Sequence, residues 1–327
     1  MNADVRKKIE LFADNRRKVH KAFNWDWDMM SVVSGLVFAE ADMEADTDRM
    51  KECEKILKKK TSVFSVFRNT DSLLMLSKMA ISDDPEKYLD IIIELYNKIS
   101  RGKIFDDSYM VLAAILLYDQ NRVEDADALI EKYKDIMKRM SKEHPILTSG
   151  EDKPLAMMLA MTDKDVDTII KEMEECYSYM KKNFKGYSDP IQGLSQVLTV
   201  TDGDMIEKCD KVIDIYNRFK DRGVKYGREY EFTSLGALIG LEVDKDVLID
   251  EILEADALLA SYKGFGSWNM DKSTRLMFAA ILTAQEYERN STSMYATAIG
   301  SSLAIVVAEE IAMMIVIIMC ATAANNN

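Results

Sequence analysis

One pattern recurs along this chain and restricts its fold more than any other: an apolar run closes on an acidic residue, and a one-faced amphipathic stretch follows. LLMLSKMAISD ends at Asp83, MVLAAILLYD at Asp119, LAMMLAMTD at Asp163, GLSQVLTVTD at Asp202 and SLGALIGLEVD at Asp244. The closing acids lie 36, 44, 39 and 42 residues apart, within the range of helical-hairpin repeats. A repeat of this kind cannot bury its apolar face alone, so each unit must stack on the next.

Two patterns alternate within the repeats. In the first helix of a unit, apolar residues occupy nearly every side, as over residues 110–117, which predicts burial between neighbours. In the second helix Ala126, Leu129, Ile130, Tyr133, Ile136, Met137 and Met140 recur at helical spacing, with Lys132, Lys134 and Lys138 between them. That spacing predicts a half-exposed amphipathic helix. The pattern places a lone helix at about 2–23, then pairs at 27–42 and 46–60, 71–81 and 84–100, 107–118 and 122–140, 152–161 and 164–183, 189–199 and 202–222, 231–241 and 244–262, and a last unit of 271–284 with a long helix from 292.

Punctuation agrees with this reading. Gly102, Gly186, Gly223 and Gly264 stand where second helices end, suiting a left-handed residue after the last turn. Asp84 before Pro85, and Ser188 before Asp189 and Pro190, read as N-terminal caps. The expected fold is all-α: about seven antiparallel helical hairpins forming an α-solenoid or α/α-toroid. Residues 1–291 form the repeat domain with an N-terminal capping helix, and 292–327 an apolar C-terminal tail.

Composition narrows the partners. A formal charge of −13 repels phosphate backbones, so no nucleic-acid partner is expected. Cys53, Cys176, Cys209 and Cys320 form no CxxC pair and sit in apolar helical patterns, which reads as reduced thiols of a cytoplasmic protein. The N-terminal stretch is charged and lacks an apolar core of the secretory kind. His20 and His144 are far apart in sequence, and no cluster with metal-ligand spacing, P-loop or nucleophile elbow appears. Neither metal nor cofactor is expected.

An acid recurs at the mouth of the first helices: Asp71, Asp107, Asp152, Asp189, Glu231 and Asp271. Stacked repeats would align them on one rim, where they would bind a cation or supply general acid and base. The plainer reading is capping of free N–H groups at each helix start. Aromatic residues accompany the joints, at Trp25, Trp27, Phe105, Tyr187, Tyr226, Tyr230, Phe265 and Trp268. Trp268, in KGFGSWNMDK, is the ring best placed to contact a ligand from a loop, although joint rings commonly pack over the turn.

The C-terminal stretch breaks the pattern. From Ala296 to Ala324 its only charges are Glu309 and Glu310. A membrane span is disfavoured by that carboxylate pair and by the lack of flanking Lys or Arg. Packing within the subunit as a helix, or against another subunit as helix or strand, would bury Leu303, Val306, Val307, Ile311, Met314, Ile315 and Ile318.

The run FRNTDSLLMLSKMAISDDPEKYLD, the string LTSGEDKPLAMMLA at 147–160 and an alanine- and methionine-rich C-terminal helix resemble a bacterial domain-of-unknown-function family, number four thousand and three. The resemblance covers most of the chain and implies a bacterial, cytosolic, all-helical protein with no assigned activity. The tail here is richer in Ile and Val than the alanine-rich type. The favoured expectation is a non-enzymatic helical-repeat scaffold or self-assembling protein, packing through its tail within a subunit or as a homo-oligomer. The alternative is an α/α-toroid enzyme whose rim carboxylates act on a small polar or cationic substrate. Fold alone does not choose between them.

Overall fold

Aspartates set the starts of the charged helices and apolar runs fill the helices between them. The computed structural model describes residues 1–23, 28–68, 72–101, 107–267 and 269–289, so Asp71, Trp25, Trp27, Phe105, Gly102, Trp268 and the whole tail lie outside the described residues. Among the described residues there is no strand. Helix α1 (Ala3–Phe23) is followed by α2 (Asp28–Glu40), α3 (Thr47–Lys60), α4 (Ser72–Ile81), α5 (Pro85–Ser100), α6 (Ser108–Asp119) and α7 (Ala126–Glu143). Then come α8 (Lys153–Met161), α9 (Val166–Asn183), α10 (Ser188–Val200), α11 (Met205–Asp221), α12 (Tyr230–Thr233), α13 (Lys245–Ser261) and α14 (Lys272–Arg289).

The alternation is physical. All of Met110 to Leu117 in α6 and all of α8 are buried, whereas α7 buries one face through Ala126, Leu129, Ile130, Tyr133, Ile136 and Met140. Backbone amides of Arg49, Lys87, Thr168, Glu207 and Val247 donate to Asp46, Asp84, Asp165, Asp204 and Asp244 at 2.8–3.0 Å. These bonds satisfy donors that the helix itself leaves free. Gly186, Gly223 and Gly264 take φ of 85°, 73° and 97° at the ends of α9, α11 and α13, as expected of the joints.

Four local expectations change. Helix α7 begins at Ala126 and not near 122, and α14 runs on to Arg289. The cap position of α10 is Tyr187, so Ser188 already lies inside the helix and no side chain caps it. The expected helix at 231–241 is a single turn, α12, followed by a 3-10 turn at Ser234–Leu238. There Gly236 lies so close to α10 that an added Cβ would stand 2.6 Å from Val197 Cγ1. The close backbone approach and the weak helix propensity of Gly236 and Gly240 set the local geometry.

The apolar helices touch in order, α2 with α4, α6 with α8, α8 with α10, and α10 with α12. The amphipathic ones do the same, α3 with α5, α5 with α7, α7 with α9, α9 with α11, and α11 with α13. Helix α1 packs mainly on α2, and also touches α3, α13 and α14. Phe12 meets the rings of Phe265 and Phe278 at 5.1 and 5.5 Å. Lys8 Nζ donates to Ala39 O at 2.9 Å and lies 3.3 Å from Glu286, and Arg16 reaches Lys263 O. One continuous core runs from Val5 to Ala284. Among the described residues no helix is long and apolar enough to cross a membrane.

Candidate functional site

The loop from α7 into α8 reads TSGEDKP, and its second half determines the site. Asp152 occupies the cap position of α8, where its carboxylate would ordinarily accept from the amide of the second or third helical residue. The second residue is Pro154, which has no N–H. Asp152 makes no cap bond, and its φ and ψ of −75° and −13° are already helical. Asp84 is the contrast: Pro85 holds the first position of α5, the later amides survive, and the cap forms.

Released from capping, the Asp152 carboxylate faces α10. It accepts from Gln192 Nε2 at 3.0 Å and Gln196 Nε2 at 2.6 Å, and from the Ser149 amide at 2.7 Å. Asp152 is 8% exposed, Gln192 2% and Gln196 0%. Burial pushes the Asp152 carboxyl above its ordinary range, and the three N–H donors oppose that shift. Because an ionised carboxylate only accepts, each glutamine must turn its NH₂ toward it. The Oε1 atoms of Gln192 and Gln196 are left buried without a hydrogen-bond partner.

These groups border a cavity of about 210 Å³ between the 146–155 stretch, α10 and α12. Glu151, Asp152 and Asp189 supply its acids, Ser149, Gln192 and Thr233 its other polar groups, and Ile146, Leu147 and Leu155 its apolar wall. Ile146 is 94% exposed at this wall. Gly193 opens the floor, since a Cβ there would stand 2.8 Å from Thr233 Oγ1. Burial, then the negative charges of Asp152 and Asp189, push the half-buried Glu151 carboxyl up. Among the described residues no basic residue lines the cavity. The nearby Lys153 ammonium is paired with Asp107, which also caps α6 through the Tyr109 amide at 2.9 Å.

The rim acids therefore divide. Asp152 and Asp189 meet at one pocket, with Asp107 one ion pair away. Asp271 caps α14 through the amides of Ser273 and Thr274 at 2.9 and 3.0 Å. It stands beside Glu231, whose buried carboxyl is pushed up by desolvation and by the charge of Asp271, against a local backbone hydrogen bond that lowers it. The joint aromatics pack: Phe265 on Phe12, Tyr187 against Phe184 and Phe232, and Tyr226 on Phe219. His144 bonds Glu174 at 2.8 Å and its ring lies on Tyr177. Among the described residues no group of three or more His, Cys, Asp or Glu is placed to hold a metal ion. Cys53, Cys176 and Cys209 are buried free thiols.

Two larger clefts, of about 530 and 460 Å³, border α11 and the α4–α5 joint. Lysines line both: Lys211 pairs with Glu207, Lys245 donates to the carbonyls of Leu238 and Leu241, Lys78 pairs with Asp119, and Lys87 stands exposed at the α4–α5 cleft. Of these three pockets, the smaller one is lined by acids with no lysine or arginine among the described residues.

Glu151, Gln192, Gln196 and Thr233 were not singled out by the sequence pattern. The available signal was Gln192, Ser195 and Gln196 interrupting an otherwise apolar run.

The chain belongs to a family described as a protein of unknown function (DUF4003), which matches residues 15–318. The uncharacterized protein YeaA of Bacillus subtilis (strain 168) is 22% identical over 240 residues, covering 72% of this chain and 71% of that protein. No solved structure matches the chain. The LTSGED string that carried the family resemblance is the loop that walls the pocket, through Leu147, Ser149, Glu151 and Asp152.

Proposed function

We propose that the protein is a closed α/α ring of helical hairpins that holds a small cationic molecule in the pocket between α8 and α10. Closure is supported by α1, which packs at once on the first pair and on α13 and α14. One observation carries the binding reading: Asp152 is a buried carboxylate that does not cap its helix and is held at the pocket wall by two buried glutamines. A buried charge is costly unless it is paired and hydrogen-bonded, and among the described residues no cation lines this pocket. A cationic ligand supplies the missing partner. The same carboxylates would serve as acid and base in the enzyme form of this reading.

The test is a thermal-shift screen of small organic cations against neutral compounds of the same shape. Saturating ligand at about 100 times Kd stabilises the folded chain by about 2.7 kcal/mol, so a binder raises Tm measurably. Cations must raise the Tm of the wild type and lose that effect in Asp152→Asn. Equal shifts from neutral analogues overturn the reading.

Assembly through the C-terminal segment is the second reading, favoured by the 292–327 sequence, whose only charges between Ala296 and Ala324 are Glu309 and Glu310. Deletion of 292–327 followed by mass measurement in solution decides it. Full-length and truncated chains that are both monomers of equal stability would rule it out.

A further inference from the structure

The pocket's charge, size and wall specify more than a positive partner. Resting on the reading of this cavity as a cation site, we propose that its occupant is a short aliphatic diammonium compound, a diamine, and neither a monoamine nor a metal ion.

Charge gives the number of positive centres. Glu151, Asp152 and Asp189 line the cavity and, among the described residues, no Lys, Arg or His does, while the ammonium of Lys153 is engaged with Asp107. A single ammonium would leave other carboxylates of the lining without a positive partner, and the charges of Asp152 and Asp189 already act against that of Glu151. The acids also differ in depth. Asp152 is 8% exposed, Glu151 is half-buried and Asp189 is exposed. One positive group belongs at the buried end and another at the mouth.

Geometry excludes concentrating that charge in one ion. Among the described residues no three acidic, histidine or thiol side chains converge closely enough to hold a metal, so the positive charge must be spread along a molecule. A divalent ion such as magnesium needs oxygens at about 2.0–2.1 Å in a near-octahedral set. A diamine needs only separated hydrogen-bonded pairs.

Gln192 gives independent support for an N–H donor. Its Oε1 is buried, has no partner and belongs to a side chain that lines the cavity. The Asp152 bond to Nε2 at 3.0 Å fixes which end of the amide is the acceptor. An ammonium at the deep end offers three donors, enough for Asp152 and for this orphan oxygen. Between the polar ends, Leu147 and Leu155 present aliphatic surface suited to a methylene chain. The volume of about 210 Å³ falls below the roughly 300–1,000 Å³ of drug-sized sites, which limits the ligand to a few heavy atoms.

Isothermal titration calorimetry on the full chain at about 0.15 M salt, where long-range attraction to an acidic protein is screened, tests this with 1,4-diaminobutane, butylamine, 1,4-butanediol and magnesium chloride. The expected order is diamine tighter than butylamine by about tenfold, as one added charge-assisted hydrogen bond provides, with no binding of the diol. Asp189→Asn, at an exposed position, should weaken the diamine about threefold or more and leave butylamine unchanged. Asp48→Asn, also exposed but remote from the pocket, should change neither. Equal affinity for butylamine and diamine overturns the diamine assignment and leaves the cation pocket standing. Magnesium displacing the diamine, with both lost in Asp152→Asn, overturns it in favour of a metal. Binding of none of the amines overturns the assignment and the cation-site reading together.

Discussion

Phe12→Ala tests whether the ring proposed above closes. Phe12 sits in the first helix, is fully buried, and packs on Phe265 at 5.1 Å and Phe278 at 5.5 Å. Truncating a buried phenylalanine to alanine costs about 3–5 kcal/mol, and each aromatic pair adds about 0.5–1.5 kcal/mol beyond its buried area. With two ring partners lost and no solvent to fill the gap, about 4 kcal/mol is the appropriate figure, within the phenylalanine range. At about 1.4 kcal/mol per tenfold, that raises the opening equilibrium of the joint by roughly a thousandfold. Hydrogen exchange followed by mass spectrometry reads the effect segment by segment. Faster exchange is expected in α1 and also in α13 and α14, far away in sequence but joined to α1 through this cluster. Altered exchange confined to α1 and its sequence neighbours α2 and α3 would refute the closure, because an open array transmits nothing to its other end.

Three further outcomes follow from the packing. Gly193→Ala should destabilise the chain by about 1–3 kcal/mol of overpacking, less about 1 kcal/mol of helix propensity regained, because its Cβ would meet Thr233 Oγ1 at 2.8 Å; urea unfolding should show Thr233→Ala restoring most of the loss, and strictly additive effects would disprove the clash. Burial raises the Asp152 carboxyl above its ordinary value of 3.8, so the folded state keeps a proton that the unfolded chain has released, and wild-type stability falls as pH climbs from about 3.8 through the raised value. Asp152→Asn removes that titration, so the variant's stability relative to wild type should rise across this window and level off above it; a difference independent of pH counts against the buried carboxylate. Asp256→Asn weakens an ion pair with Arg275 at 2.7 Å whose side chains are 9% and 7% exposed, and leaving that guanidinium without its anion should cost about 3–5 kcal/mol, read as a lower urea midpoint that Asp256→Leu with Arg275→Met recovers.

The amphipathic helices were legible because each carries its own instructions. Asp84, Asp204 and Asp244 bond amides two or three residues ahead, and the apolar face follows at helical spacing, so no tertiary knowledge is needed. The 231–241 segment was not legible for the opposite reason. Its apolar run reads as a helix, yet the backbone at Gly236 packs against Val197 of another element. The contact of α1 with the last helices was equally hidden, since Phe12, Phe265 and Phe278 are ordinary apolar-face residues until α1 is brought to α14. The acids of the pocket were visible as rim carboxylates, but the same rule assigned capping to all of them.

Proline position separates the acid that caps from the acid that does not. At Asp107 and Asp271 the first amides of the helix are intact, and the carboxylate is satisfied locally by Tyr109 or by Ser273 and Thr274. At Asp152 a proline one position later than in α5 removes the nearest donor. The carboxylate then depends on Gln192 and Gln196, two polar residues in an apolar helix that would otherwise have no reason to be there. Using both NH₂ groups on one acid leaves two buried carbonyl oxygens without donors, each costing about 1–3 kcal/mol while unpaired. A protein stable by only about 5–15 kcal/mol does not need such an arrangement for folding, because a cap of the Asp84 kind satisfies the helix start at no such cost. A local rule broken without a structural return is what the proposed cation site rests on, and here the buried acceptors without donors, the three acids and the cavity coincide.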